Sequence, residues 1–567
     1  MQHDPYVLNF NLVSVSTISM GKRCFFLKNL SIGVVTFMLY FVPSSSTSPV
    51  IAEVKPDYRL YVMAPLGEIT DWDAFKAELV QLKEHGVYAI TTDIWWGMVE
   101  SKKDNQFDWS YYKKYGEVVE ASGLKWVPIL STHQCGGNVG DDCNYPIPSW
   151  LWNKDTAENM AFKSERGYWN KEVLAPWWEG TAVQYDELYK SFAKNFADKK
   201  DLIVKIYLSA GPAGELRYPS YQNADGWEYP ERGQLQVYTE GAKRDFRLAM
   251  KEKYSTIKKL NASWGKKYKN WNEIQPPING DEFFTRGGAI DTQFGNDFMQ
   301  WYQGTLEKHL SKISKFAHKH FDEVFNVPIG AKISGVHWKM NDPLMPHSAE
   351  YSAGYYNYSQ LLDQFKKSNM ALTFTCLEMG DQNAHTAPYY SAPKTLVTQI
   401  AHLANEKGIS LNGENALPVI NNEGGFDNIA EMIFNYDFEA FTFLRMSNLF
   451  DEDGNPTDEF KLMVDKLEGK SITVTFTVEN VPAKPNHGVY LIGDRGEIGR
   501  WKPEEYEYKL TQNPEGSWSG TFHLAADRYY EFKFVMKDEN GNITWQDGEN
   551  NSYKTPVKGN GTYKTSW

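Results

Sequence analysis

Eight short β-rich runs separated by amphipathic helical stretches, and a change of texture near Ser471, predict an α/β chain: a (β/α)8 TIM barrel followed by a small all-β sandwich. At 567 residues the chain is too long for one ordinary domain, so a large domain with a smaller companion is the expected division. We read residues 1–52 as a secretory signal region, 53–470 as the barrel and 471–567 as the sandwich.

The signal region opens with Lys22, Arg23 and Lys28, continues in an apolar run from Leu30 to Val42 and ends in small residues around Ser44 to Ala52. That is the order of a cleaved export signal, with Met20 as an alternative start and an anchored helix as the competing reading. No later run is apolar and long enough to cross a bilayer, so the expectation is a soluble, secreted, extracellular monomer with no membrane contact in its mature form. A formal net charge of -13 argues against nucleic acid, whose phosphates need a basic surface. Nineteen Trp and 34 Tyr suit a protein that stacks on flat ligand faces such as sugar rings, although aromatics also fill cores.

The eight barrel strands read, in order, YRLYVMAPL, VYAITTDIWW, KWVPILSTH, LIVKIYLSAG, PIGAKISGVHW, ALTFTCLEM, GISLNGENAL and FEAFTFLRM. Between the first two, DWDAFKAELVQLKEHG carries apolar residues at helical spacing with Gly86 as a stop, and comparable helices follow most other strands. In such a barrel the chemistry collects where strands end and loops begin. Those ends carry Asp93, His133, Glu215, Lys332 with His337, Thr375, Glu414 and Arg445. An ion pair between Glu215 and Arg217 explains that glutamate alone, but not seven strand ends all rich in acids, bases and donors. Two glutamates across a barrel mouth fit glycosidic cleavage, in which one carboxylic acid protonates the leaving oxygen and one carboxylate activates water or attacks carbon. Asp93 stands as a third carboxylate that spacing does not exclude.

Cys24 falls in the signal, and Cys376 in an apolar run where a buried thiol is expected. Cys135 and Cys143 bracket GGNVGDD and read as a disulfide in an exported protein; a metal site with His133 is the alternative but lacks further soft ligands.

The segments TTDIWWGMVE, STHQCGGNVGDDC, GPAGELRYPSY, GAKISGVHW, FTCLEM, LNGENAL and FLRM together resemble the beta-amylases, in particular their bacterial, secreted form. The resemblance implies exo-acting, inverting hydrolysis of α-1,4-glucosidic bonds in starch, releasing β-maltose from non-reducing ends. Glu215 matches the general acid and Glu414 the general base. Asp93, His133, Asp141, Lys332, His337, Asn415, Ala416 and Arg445 match positions that hold glucose units, and Thr375 matches a threonine beside the base. The glycine-rich loop with Gly136, Gly137 and Gly140 matches a lid that closes over the sugar. In VESKKDN, Glu100, Asp104 and Asn105 are hard oxygen donors of the kind calcium selects. The resemblance adds Glu187 to this structural Ca2+ set, while Gln184 stands where a further glutamate is expected.

Beyond Ser471, ITVTFTV, GVYLIG, SWSGTFHL and YYEFKFVM are short alternating strands of a sandwich. IGRWKP, YYEFKFV and NGNITWQDGENNSY resemble a starch-binding module, which implies a platform of Trp501 and Trp545 with Lys533 and Asn550 as donors. Two other readings compete with the inverting hydrolase. A retaining, internally acting glycosidase would need an aspartate-rich set of strand ends, and a carbohydrate-binding protein with a dead barrel is at odds with two intact glutamates.

Overall fold

The computed structural model of the chain describes residues 58–136, 143–467 and 471–567, the last apart from 483, 485, 495–497, 500, 504–507, 527, 528, 557 and 558. The signal region, Cys24, Asp141, Gly137 and Gly140 lie outside the described residues.

Eight parallel strands close into a barrel: β1 (Arg59–Met63), β2 (Ala89–Trp95), β3 (Lys125–Ser131), β4 (Ile206–Leu208), β5 (Ile329–Ile333), β6 (Ala371–Phe374), β7 (Leu411–Glu414) and β8 (Ala440–Phe443). Each neighbours the next in sequence, and β8 pairs with β1 through Arg59↔Ala440 to Val62↔Phe443. The fourth strand is shorter than its sequence suggests, with only an isolated bridge from Ile203 to Trp126 before Ile206.

Period-two alternation decides which side chains reach the barrel axis. Leu60 and Val62 face outward into the large core beneath the helices, whereas Tyr61 and Met63 join Ala89, Val127, Ile129, Tyr207 and Ala440 in a separate inner cluster. The same parity carries Asp93 on β2, His133 beyond β3, Lys332 on β5, Thr375 beyond β6 and Glu414 on β7 inward, each at the carboxyl end of its strand. The inner cluster fills the barrel below them, so the interior is a packed core with chemistry at one end.

A helix follows every strand. The first, Trp72–Glu84, is capped by Asp71, whose carboxylate accepts from the N–H groups of Asp73 and Ala74, and it buries Phe75, Leu79 and Leu82 at helical spacing. The longest excursion, between β4 and β5, ends in the 33-residue helix Gln293–Phe325.

The second fold has its own core around Val474, Phe476, Leu491, Phe532 and Phe534. One sheet holds β9 (Ser471–Glu479), β11 (Thr511–Gln512), β12 (Trp518–Ala525) and β16 (Gly561–Ser566), in the order β11-β12-β9-β16. The other holds β10 (Gly488–Gly493), β13 (Tyr529–Lys537) and β14 (Ile543–Trp545), with β15 (Asn551–Lys554) also on β13. Among the described residues no helix is long and apolar enough to cross a membrane.

Candidate active site

A cleft of about 1020 Å³ opens at the carboxyl end of the barrel. Every described residue predicted to act on the sugar lines it: Glu215 and Glu414, then Asp93, His133, Lys332 and His337, then Thr375, Asn415, Ala416 and Arg445. The tertiary fold thus brings together residues spread over more than 350 positions of sequence.

The turn after β4 aims Glu215. Gly211 is required there because a Cβ would stand 2.4 Å from the carbonyl oxygen of Glu215, and Gly214 adopts φ +79° with the His133 ring just beyond. Glu215 then bridges in parallel to Lys332, and the N–H of Leu216 donates to the Lys332 carbonyl at 2.7 Å. Its Oε2 accepts from Arg217 Nε at 2.7 Å in an ion pair buried on both sides. The ion pair anticipated as a purely structural explanation therefore exists, but it sits inside the cleft.

Across the mouth, Glu414 ends β7 and its Oε2 lies 2.5 Å from Lys332 Nζ, both buried. Burial raises the Glu414 carboxyl above its ordinary range; Lys332 opposes the rise and the charge of Glu215 adds to it. Lys332 is the hinge of the pair, bound to one glutamate by charge and to the other through the backbone.

The two histidines are neutral donors or acceptors. Burial, with Lys332 and Arg217 nearby, holds His133 down at about 3, and its Nδ1 meets Ser209 Oγ at 2.8 Å. Burial likewise takes His337 to about 4, with Nδ1 on Ser391 Oγ. Ser131 Oγ donates to Asp93 Oδ1. Thr375 Oγ1 accepts from the Gly335 N–H at 2.8 Å. Arg445 has Nη1 buried without a protein partner, a donor open to a ligand.

Asn415 lines the cleft and also has a role in the backbone beside it. Its amide donates to the carbonyls of Leu417 and Leu444 and accepts from the Leu444 N–H, so it fixes backbone beside Arg445. Strand-end reading also passed over Glu378. This buried carboxylate accepts from the N–H groups of Ala416 and Leu417 and so braces the loop that follows the base. Burial pushes its carboxyl up to about 7. An acid three residues past Thr375 was the available signal. Trp227, Tyr229 and Trp338 wall the same cleft as an aromatic cluster, with Trp227 and Trp338 ring centroids 5.7 Å apart.

The predicted lid is tethered where it is described: Cys135 and Cys143 are joined by their sulfurs with Cα atoms 5.7 Å apart. Cys376 is free and buried.

At the predicted calcium loop, Glu100 is buried and accepts from Trp96 Nε1 and the Asn105 N–H. Burial raises its carboxyl to about 7, and the charges of Asp104 and Glu187 add to the rise. Gln184 Nε2 donates to Glu187, leaving Gln184 Oε1 buried without a partner, as is Asp104 Oδ1. Asp104 Oδ2 is paired with Lys154 at 2.7 Å. The orphaned oxygens of Asp104 and Gln184 are donors of the kind a hard cation takes, although among the described residues no group of three or more His, Cys, Asp or Glu converges as a ready metal cage.

On the second fold, Trp501, Lys533, Trp545 and Asn550 together line a shallow surface pocket of about 320 Å³. The two indoles lie 6.3 Å apart and tilted by 42°. Trp545 is exposed, whereas Trp501 also rests on the sandwich core.

Residues 61–472 match glycosyl hydrolase family 14. The chain belongs to glycosyl hydrolase family 14. Residues 471–565 match a starch binding domain. The family member is 49% identical over 544 residues to the thermophilic beta-amylase of Thermoanaerobacterium thermosulfurigenes, covering 95% of this chain and 98% of that one. It is 45% identical over 541 residues to the beta-amylase of Bacillus cereus, covering 94% and 97%. The crystal structure of the catalytic domain of beta-amylase from Paenibacillus polymyxa matches with a TM-score of 0.71 at 56% identity, over 73% of this chain and 98% of that domain.

Proposed function

We propose that this family 14 enzyme hydrolyses α-1,4-glucosidic bonds of starch and related glucans from their non-reducing ends with inversion, releasing β-maltose. The observation that carries the reading is a pair of buried glutamates, one after strand four and one ending strand seven, both anchored to Lys332 and both open to one cleft. Glu215 gives its proton to the glycosidic oxygen as the bond to C1 breaks. Glu414, kept ionised by Lys332 and made more basic by burial, takes a proton from the water that attacks C1 on the opposite face. One water is consumed and the new C1 hydroxyl is β. The neutral His133 and His337, the Asp93 carboxylate and the open Arg445 donor supply hydrogen bonds that seat the sugar. The test is the anomer of fresh product by proton NMR: β-maltose is expected, and α-maltose would overturn the inverting assignment.

A structural calcium ion held by Glu100, Asp104, Asn105 and Glu187 belongs to the same reading, supported by the orphaned oxygens of Asp104 and Gln184 and by the burial of Glu100, whose carboxyl is raised to about 7. Calcium would supply positive charge to Glu100 and Glu187, whereas Asp104 already has Lys154 at 2.7 Å on Oδ2. Calorimetric titration of chelator-treated protein should detect one ion, lost in Glu187→Ala; heat-free titration of the parent would remove it. The N-terminal basic and apolar segment supports export, and an oxidising destination supports the Cys135–Cys143 bridge.

A further inference from the structure

A buried general acid faces two opposing demands: it must keep its proton until the substrate is bound, and it must become a carboxylate in the transition state. The surroundings of Glu215 bear on the second directly. Two donors face Oε2, the Arg217 Nε at 2.7 Å and the Tyr221 hydroxyl at 3.5 Å. A proton on Oε2 would collide with the guanidinium N–H, so the acid's proton belongs on Oε1. The guanidinium cannot swing away. It lies 4.1 Å over the Tyr221 ring, its Nη1 donates to the Tyr218 carbonyl at 3.2 Å, and its side chain is 2% exposed.

A second buried carboxylate, Glu172, also acts on Arg217 through its charge. Burial opposes the charge of Arg217, yet Tyr221, Glu215 and Glu172 together outweigh burial and hold it firmly protonated. Glu172 is buried and rigid: Gln222 Nε2 donates to both of its oxygens at 2.8 and 2.9 Å, and Asn170 Nδ2 donates to one at 2.8 Å. The remaining groups that act on Glu215 are Lys332 and Glu414 from β5 and β7, the neutral His133 beyond β3, and the buried Tyr355 and Cys376. Among these charges only Arg217 touches the acid's carboxyl directly.

We propose that Arg217 is the positioning residue of the acid, confining its proton to Oε1 and stabilising the carboxylate as the proton leaves, and that Glu172 sets how much of the guanidinium charge Glu215 feels. This rests on Glu215 being the acid. Removing Arg217 then makes Glu215 a weaker acid that stays protonated to higher pH, and neutralising Glu172 does the reverse.

The experiment compares pH profiles of kcat/KM on maltopentaose. Arg217→Gln should move the alkaline limb up by about one pH unit or more and cut kcat tenfold or more, with KM within threefold. Arg217→Lys should restore part of the limb. On α-maltosyl fluoride, whose leaving group needs little protonation, the Arg217→Gln deficit should shrink below threefold. Glu172→Gln should move the alkaline limb down. Shifts in the same direction, or no shift in either variant, would overturn the proposal. If Arg217→Gln does not fold, an unmoved limb in Glu172→Gln overturns it alone. Near-normal turnover by Glu215→Gln on maltopentaose would instead remove the acid assignment itself.

Discussion

The barrel cleft lies in a glycosyl hydrolase family 14 domain and the tryptophan surface in a starch binding domain, and they are built on opposite rules. In the cleft the polar groups are buried and held: Glu215 by Arg217, Glu414 by Lys332, His133 by Ser209, His337 by Ser391. On the sandwich the working faces are apolar and partly open, with Lys533 tied to the Gln546 and Gly548 carbonyls and Asn550 3.3 Å from Glu531 at its rim. The difference teaches what each site has to do. Moving protons requires charges whose strength is set by burial and by fixed partners, whereas adhesion requires flat surface that loses water.

The sharpest way to break that contrast is at the carboxylates. Glu414→Gln preserves shape and removes only the base, so kcat should fall by about 10²- to 10⁴-fold while sugar affinity changes little. A variant turning over at near-parental rate would mean that the cleft, like the sandwich, only binds. Next in size, replacing both Trp501 and Trp545 by alanine should cost about 1 to 3 kcal/mol of granule affinity, roughly 5- to 150-fold, with kcat/KM on short soluble maltooligosaccharides unchanged. Equal losses on granules and on soluble substrate would show that the tryptophans hold the sandwich together, a real alternative for Trp501, which touches the core.

The smallest effect concerns Glu378, a cleft carboxylate that braces backbone. Its folded carboxyl is raised to about 7 by burial, above the ordinary carboxylate range. The folded state therefore binds more protons, and the stability it contributes is present at low pH and lost as pH rises from about 4.5 through 7. Glu378→Gln keeps an oxygen for the Ala416 and Leu417 N–H groups without this charge. Urea unfolding should find the variant about 1 to 2 kcal/mol more stable than the parent at pH 8 and indistinguishable at pH 4. An equal difference at both pH values would assign the effect to packing.

Much of this was legible before any tertiary contact was known, because it is local. Alternation in RLYVM or AITTDIW states which residues share a face, and a glycine such as Gly211 marks where backbone crowds backbone. Strand ends then named Asp93, His133, Lys332, Thr375 and Glu414, since inward parity and the carboxyl end of a barrel strand together locate a side chain. Trp501, Lys533, Trp545 and Asn550 were named from short motifs and meet on one surface.

What local pattern could not decide is who holds whom. Gln222 reaches Glu172 fifty residues away, and Lys332 reaches Glu414 across 82. Asn415 lines the cleft as the resemblance implies, but that its amide also fixes the Leu444 backbone is something only the fold shows. The strand pattern, the carboxylates and the aromatic load were determined by the order of residues along the chain. The partner of each buried charge, and with it the strength of each acid and base, was decided only by tertiary structure, because burial and Coulomb interactions depend on distances through space that no sequence spacing encodes.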